Sequence, residues 1–108
     1  MTTVQFFKTE NITKGFQASG HSGYAESGSD IVCSSITTAI FTSLNLLLRY
    51  LKKDQYSFIE SDGHLSFIIK ETVDLDSVTW ELSQNVFDNL YDILKNVESD
   101  YPKFLKVK

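Results

Sequence analysis

The stretch Phe16-Gln17-Ala18-Ser19-Gly20-His21-Ser22-Gly23-Tyr24-Ala25-Glu26-Ser27-Gly28-Ser29-Asp30-Ile31-Val32-Cys33 changes its hydrophobic period part-way along. Phe16 and Ala18 alternate with Gln17 and Ser19, the period-two pattern of a half-buried strand. From Ile31 onward the spacing becomes three and four: Val32, Ile36, Ala39, Ile40, Ser43, Leu47 and Leu51 fall on one face of a helix expected to run to about Leu51. Asp30 stands at the junction, where a short acceptor side chain can take up a backbone N–H of the first turn, so it reads as the N-cap. Cys33 then lies in that first turn, and His21 lies across a Gly- and Ser-rich loop from it.

Upstream, Val4, Phe6 and Lys8 alternate with Thr3, Gln5 and Phe7, which gives a first strand and a hairpin turning at Glu10-Asn11. Downstream, residues 56–60 and 65–70 are β-rich runs separated by Ser61-Asp62-Gly63-His64, where Asp-Gly predicts a type I′ turn. Asp74 or Asp76 caps a second helix in which Val78, Leu82, Val86, Leu90, Ile93 and Val97 form one apolar stripe, widened by Trp80, Phe87, Tyr91 and Leu94. Pro102 stops that helix, and Phe104, Leu105 and Val107 can add one strand. The order ββαββαβ predicts an α+β fold, a mainly antiparallel sheet with two packed helices, as a single domain over residues 1–108.

Composition excludes several function classes. Apolar residues make up 42% of the chain and charged residues 22%, which is globular rather than disordered usage. A net charge of −4, with the lysines scattered, opposes direct nucleic-acid binding, which needs a basic face. No apolar run approaches the roughly 20 residues that cross a bilayer, so no membrane span is expected. The N-terminus lacks a basic region followed by an apolar one, and the chain reads as cytoplasmic. One cysteine allows no internal disulfide, and with His21 and His64 alone beside it there is no ligand set for zinc; neither a metal nor a cofactor is expected.

A cysteine hydrolase needs a nucleophile, a base within hydrogen-bond reach and donors for the developing oxyanion. Cys33 near a helix start is the candidate nucleophile and His21 the candidate base. The backbone N–H groups of Cys33 and Ser34 are the candidate oxyanion donors. The loop of Ser22, Gly23, Tyr24, Ala25, Glu26, Ser27, Gly28 and Ser29 is long enough to double back and, with its glycines, to open over a site. Asp30 reads either as a residue orienting His21 or as a plain cap. Plainer readings stand beside these: Cys33 as a small buried hydrophobe, His21 as a surface residue, the glycines as turn formers. His64 reads as an exposed turn residue rather than a base. Spacing alone leaves both sets open.

Gly20-His21-Ser22-Gly23-Tyr24 together with Gly28-Ser29-Asp30-Ile31-Val32-Cys33-Ser34 resembles the signature of the ribosomal-processing cysteine proteases, the Prp family, and the similarity covers nearly the whole chain. The resemblance implies a cysteine endopeptidase that removes a short N-terminal extension from a bacterial large-subunit ribosomal protein, cutting after a Phe-Phe pair during ribosome assembly. It implies Cys33 as nucleophile, His21 as base, Asp30 at the family's Asp, a loop over Ser22 to Ser29 that orders on substrate, and a homodimer. Ser34 and Ser35 stand where family members often carry Ala. The rival reading is a non-enzymatic, peptide-binding ribosome assembly factor in which the same loop and helix end grip an extended peptide.

Overall fold

A computed structural model describes residues 1–20, 29–71 and 74–108, with the side chains of Ser29 and Asp30 outside the description. The first hairpin is β1 (Thr2–Thr9) and β2 (Ile12–Ser19), turning through Glu10 and Asn11 at φ 52° and 68°. Two consecutive positive φ values are what a type I′ turn demands, and Asn tolerates them best. The ladder shifts register at Phe7/Lys8. Beside that shift, Gln84 gives its whole amide to Thr13: the Thr13 N–H donates to Gln84 Oε1 at 2.9 Å, and Gln84 Nε2 donates to the Thr13 carbonyl at 2.8 Å. A backbone pair that the irregular ladder leaves over is thereby satisfied in the interior.

The second hairpin is β3 (Tyr56–Ser61) and β4 (His64–Ile69), preceded by a 3₁₀ turn at Lys53–Gln55. Its turn is not type I′ as expected, since Gly63 alone has positive φ (73°) and Asp62 does not. The Gly63 carbonyl accepts the Gly20 N–H at 2.9 Å, so this turn is set by the end of β2 as well as by its own sequence. Gly20 sits at φ +91°, and a Cβ there would run into the Met1 carbonyl oxygen, so the position excludes side chains twice over. Together with β5 (Leu105–Val107), the strands form one sheet in the order β3-β4-β2-β1-β5, antiparallel except where β5 runs parallel to β1.

Helix α1 spans Ser29–Leu47 and α2 spans Ser77–Asp100. The order ββαββαβ and the α+β class are as the sequence predicts. Helix α1 begins at Ser29, two residues before the expected Ile31, so Asp30 lies inside it instead of capping it, and it ends at Leu47 rather than near Leu51. Bonds from Arg49 N–H to Leu46 and from Tyr50 N–H to Leu47 tighten the chain out of the helix. Asp76, of the two candidates, caps α2, accepting the Thr79 N–H at 2.7 Å, which lowers its carboxyl below the ordinary value.

One face of the sheet carries Val4, Phe6, Phe16, Leu65, Phe67 and Ile69 against Val32, Ile36, Ile40, Leu44 and Leu47 of α1 and Val86, Phe87, Leu90 and Leu94 of α2. Phe16 meets Phe67 and Phe87 at centroid distances of 6.3 Å each, and Tyr56 stacks on Phe67 at 5.4 Å. The α2 stripe is rotated from the expected one: Val78 and Ile93 are 66% and 41% exposed, and Thr79 and Ser83 take the inward row. Ser83 can be buried because its hydroxyl donates to the Trp80 carbonyl at 2.7 Å.

Glu98 on α2 fixes the far edge of the sheet. Its carboxylate pairs with Lys95 at 2.8 Å and accepts the Val107 N–H at 2.7 Å; the Lys95 bond first, then the Val107 bond, hold it below the ordinary carboxylate value. A carboxyl depressed in the folded state stabilises above its unfolded pKa and loses that contribution as pH falls through the folded value. Wild type should therefore be more stable than Glu98→Gln by about 1 kcal/mol above roughly pH 5, with the gap closing on acidification. Denaturant unfolding across that pH range checks it; a gap that stays constant would remove the carboxylate from the account.

Candidate active site

Residues one helical turn apart share a face, and Cys33, Ile36, Thr37, Ile40 and Phe41 of α1 all line one cavity of about 250 Å³. The ends of strands close its other sides: Thr2 of β1, Ala18, Ser19 and Gly20 at the end of β2, Glu60 and Ser61 of β3, and Gly63, His64 and Leu65 at the start of β4. The bond from Gly20 to Gly63 holds the β2 end and the β3–β4 turn together at this cavity. Ala18, Ile36, Ile40, Phe41 and Leu65 make it largely apolar, with the half-buried Cys33 thiol at the N-terminal half of the helix.

The site residues read from the sequence fall into three groups. Cys33 lines the cavity. His21 and residues 22–28 lie outside the described residues, and Ser29 and Asp30 are described in their backbone alone. In the sequence His21 follows Gly20, which lines the Cys33 cavity. Ser34 is exposed on the helix. Because α1 begins at Ser29, Cys33 and Ser34 are its fifth and sixth residues, and the i−4 carbonyls facing their N–H groups are those of Ser29 and Asp30.

His64 is half-buried and opens β4, paired with Ser61 and Ser19, instead of standing exposed in the turn. It lines the cavity, but strand alternation places it on the face opposite Leu65, which packs toward the helices. Sequence reading missed Thr37, Phe41 and Glu60 as cavity residues. The signal for Thr37 and Phe41 was present, one and two turns beyond Cys33 on its own helical row. Glu60 had none, because strand register brings it there. No group of three or more His, Cys, Asp and Glu among the described residues is placed to hold a metal ion. No helix among them is long and apolar enough to cross a membrane.

Known proteins share this fold. A crystal structure of a ribosomal processing protease Prp from Staphylococcus aureus in complex with a substrate peptide superimposes with a TM-score of 0.82 at 19% identity, covering 100% of this chain and 98% of that one. The same protease with a covalently linked product peptide gives 0.79 at 21% identity, over 100% and 98% of the two chains. At these identities the likeness establishes the fold. By sequence, the ribosomal processing cysteine protease Prp of Bacillus subtilis (strain 168) is 27% identical over 92 residues, 85% of this chain and 81% of that protein. The family model described as cysteine protease Prp matches residues 1–106, the breadth over which the cavity, its helix and its strand ends are built, and the chain belongs to that family.

Proposed function

We propose that this protein is a cysteine endopeptidase that removes the N-terminal extension of a bacterial large-subunit ribosomal protein, cutting after a Phe-Phe pair, in the cytoplasm during ribosome assembly. The observation that carries the reading is the cavity itself: Cys33 and Gly20, the residue bonded to His21, line one apolar pocket at the start of α1. An apolar pocket beside a thiol suits an aromatic residue at the cut. The Bacillus subtilis relative is named for ribosomal processing, which supports the substrate class.

The chemistry needs no group beyond the chain. His21 takes the Cys33 proton and the thiolate adds to the scissile carbonyl carbon, giving a tetrahedral oxyanion. The oxyanion collapses, the C–N bond breaks, and the leaving amine receives the proton from His21. Water, deprotonated by His21, then adds to the thioester, and the Cys33 sulfur leaves. Donors at the Cys33 and Ser34 N–H groups require their bonds toward Ser29 and Asp30 to yield, so the helix dipole is the steadier contribution of the fold to the oxyanion. Asp30 orients His21 or serves the helix N-terminus, and the segment from Ser22 to Ser29 closes over bound substrate. The chain works as a homodimer: Phe41, Leu46 and Ile93 on its helical layer are each 41% exposed, an apolar surface that a second copy covers.

Incubating the purified chain with the host ribosomal protein's N-terminal peptide tests the reading. Mass spectrometry should show one cut, after Phe-Phe. Tight binding of an intact peptide would instead establish the non-enzymatic assembly factor.

A further inference from the structure

Strand β3 ends the sheet, with β4 as its single neighbour among the described residues. One step before the Tyr56↔Ile69 pair, Gln55 and Lys70 face each other, and the Lys70 N–H donates to the Gln55 carbonyl at 3.0 Å. Such hydrogen-bonded pairs recur at every second residue of an antiparallel ladder. Ser57, Ile59 and Ser61 therefore turn their N–H and C=O groups to β4, and Tyr56, Phe58 and Glu60 turn theirs away from the sheet. Glu60 and Ser61 line the Cys33 cavity. The outward row thus runs about 13 Å from Tyr56 to Glu60, four steps of roughly 3.3 Å, and ends where the thiol is.

Folded proteins blunt open edges with short strands, lysines, prolines, bulges or a covering group. The β5 edge is blunted in this way: it is three residues long, carries Lys106, and gives its outward Val107 N–H to Glu98. The β3 edge is six residues long with no Lys, Pro or register shift, and it leaves Phe58 and Ile59 38% and 57% exposed. We propose that this edge is the docking rail for the extended substrate peptide of the Cys33 site, which adds a strand to β3 through Tyr56, Phe58 and Glu60 and passes its next residues into the cavity. The inference rests on the protease reading. The row ends in the cavity, so the occupant is the chain being cut; a second copy paired along the edge would lie across the cavity mouth. Main-chain pairing supplies affinity without regard to sequence, and the cavity supplies selectivity.

The test uses wild-type protein and a peptide spanning the Phe-Phe junction, N-methylated at one residue at a time. Methyl groups at alternating positions on one side of the cut should raise KM roughly three- to tenfold, the loss of one main-chain bond, with the intervening positions little changed. Phe58→Pro, which removes an outward N–H and leaves the β4 ladder its donors, should raise KM similarly while the fold is retained. If that variant does not fold, the methylation series still gives the answer. Cleavage with no alternation in the series would overturn the rail and leave the protease reading standing. A Phe58→Pro protein that loses its dimer with KM unchanged would assign the edge to a second copy and overturn the rail. Failure of wild type to cut any such peptide would instead remove the protease reading, and the rail with it.

Discussion

Cys33→Ala should show no cleavage of the Phe-Phe peptide above background and should keep the wild-type circular dichroism spectrum and the ability to bind the peptide. In the proposed mechanism the sulfur is the atom that joins the substrate, and a methyl group in its place offers no electron pair to the carbonyl. The fold has little reason to notice, because Ala is the best helix former and Cys33 is half-buried at a cavity wall, so truncation enlarges an existing space. The cost in stability should stay near 1 kcal/mol or below, against the complete loss of turnover. Turnover at the wild-type rate would remove Cys33 from the chemistry.

The second large effect is expected at His21. His21→Ala should lower kcat by roughly 10²- to 10⁴-fold, the usual consequence of removing a general base. His64→Ala should stay within a few-fold of wild type. Gly20, which precedes His21 in the chain, and Gly63, which precedes His64, are hydrogen-bonded to each other at one end of the sheet. Alternation directs His64 to the face opposite Leu65. Equal losses in the two variants would point to a common defect of that sheet end, not to a base, and a thermal melt of each would show it.

Local periodicity made most of the fold readable. Val32, Ile36, Ile40 and Leu47 stand on one buried row of α1 because one side of that helix meets the sheet and the other does not. The α2 stripe was misread at Val78 and Ile93 because its inward row uses Thr79 and Ser83, small residues whose hydroxyls are satisfied locally and which no hydropathy pattern marks as interior. The type I′ expectation at Asp62-Gly63 was likewise defeated by a contact from elsewhere, the Gly20 N–H. Cys33 was legible as a candidate because a lone cysteine near a helix start stands out in the sequence itself. The cavity around it was not, being assembled from Thr2, Glu60 and His64, residues that approach through strand register. Gln84, which completes the Thr13 backbone, shows the same limit, the partners being 71 positions apart in the chain.

The hydrogen bond between Gly20 and Gly63 makes the site a ruler. One end of the measure is β3, which leads through Asp62 into Gly63; the other is β2, which leads through Gly20 into His21. With the Gly20 N–H and the Gly63 carbonyl oxygen 2.9 Å apart, a peptide seated on β3 as proposed would enter the Cys33 cavity in one register. On the proposed rail, one residue more or fewer between the seated segment and the Phe-Phe bond would shift that bond by about 3.3 Å, beyond the reach of a reacting atom, so the site would count residues as well as recognise them.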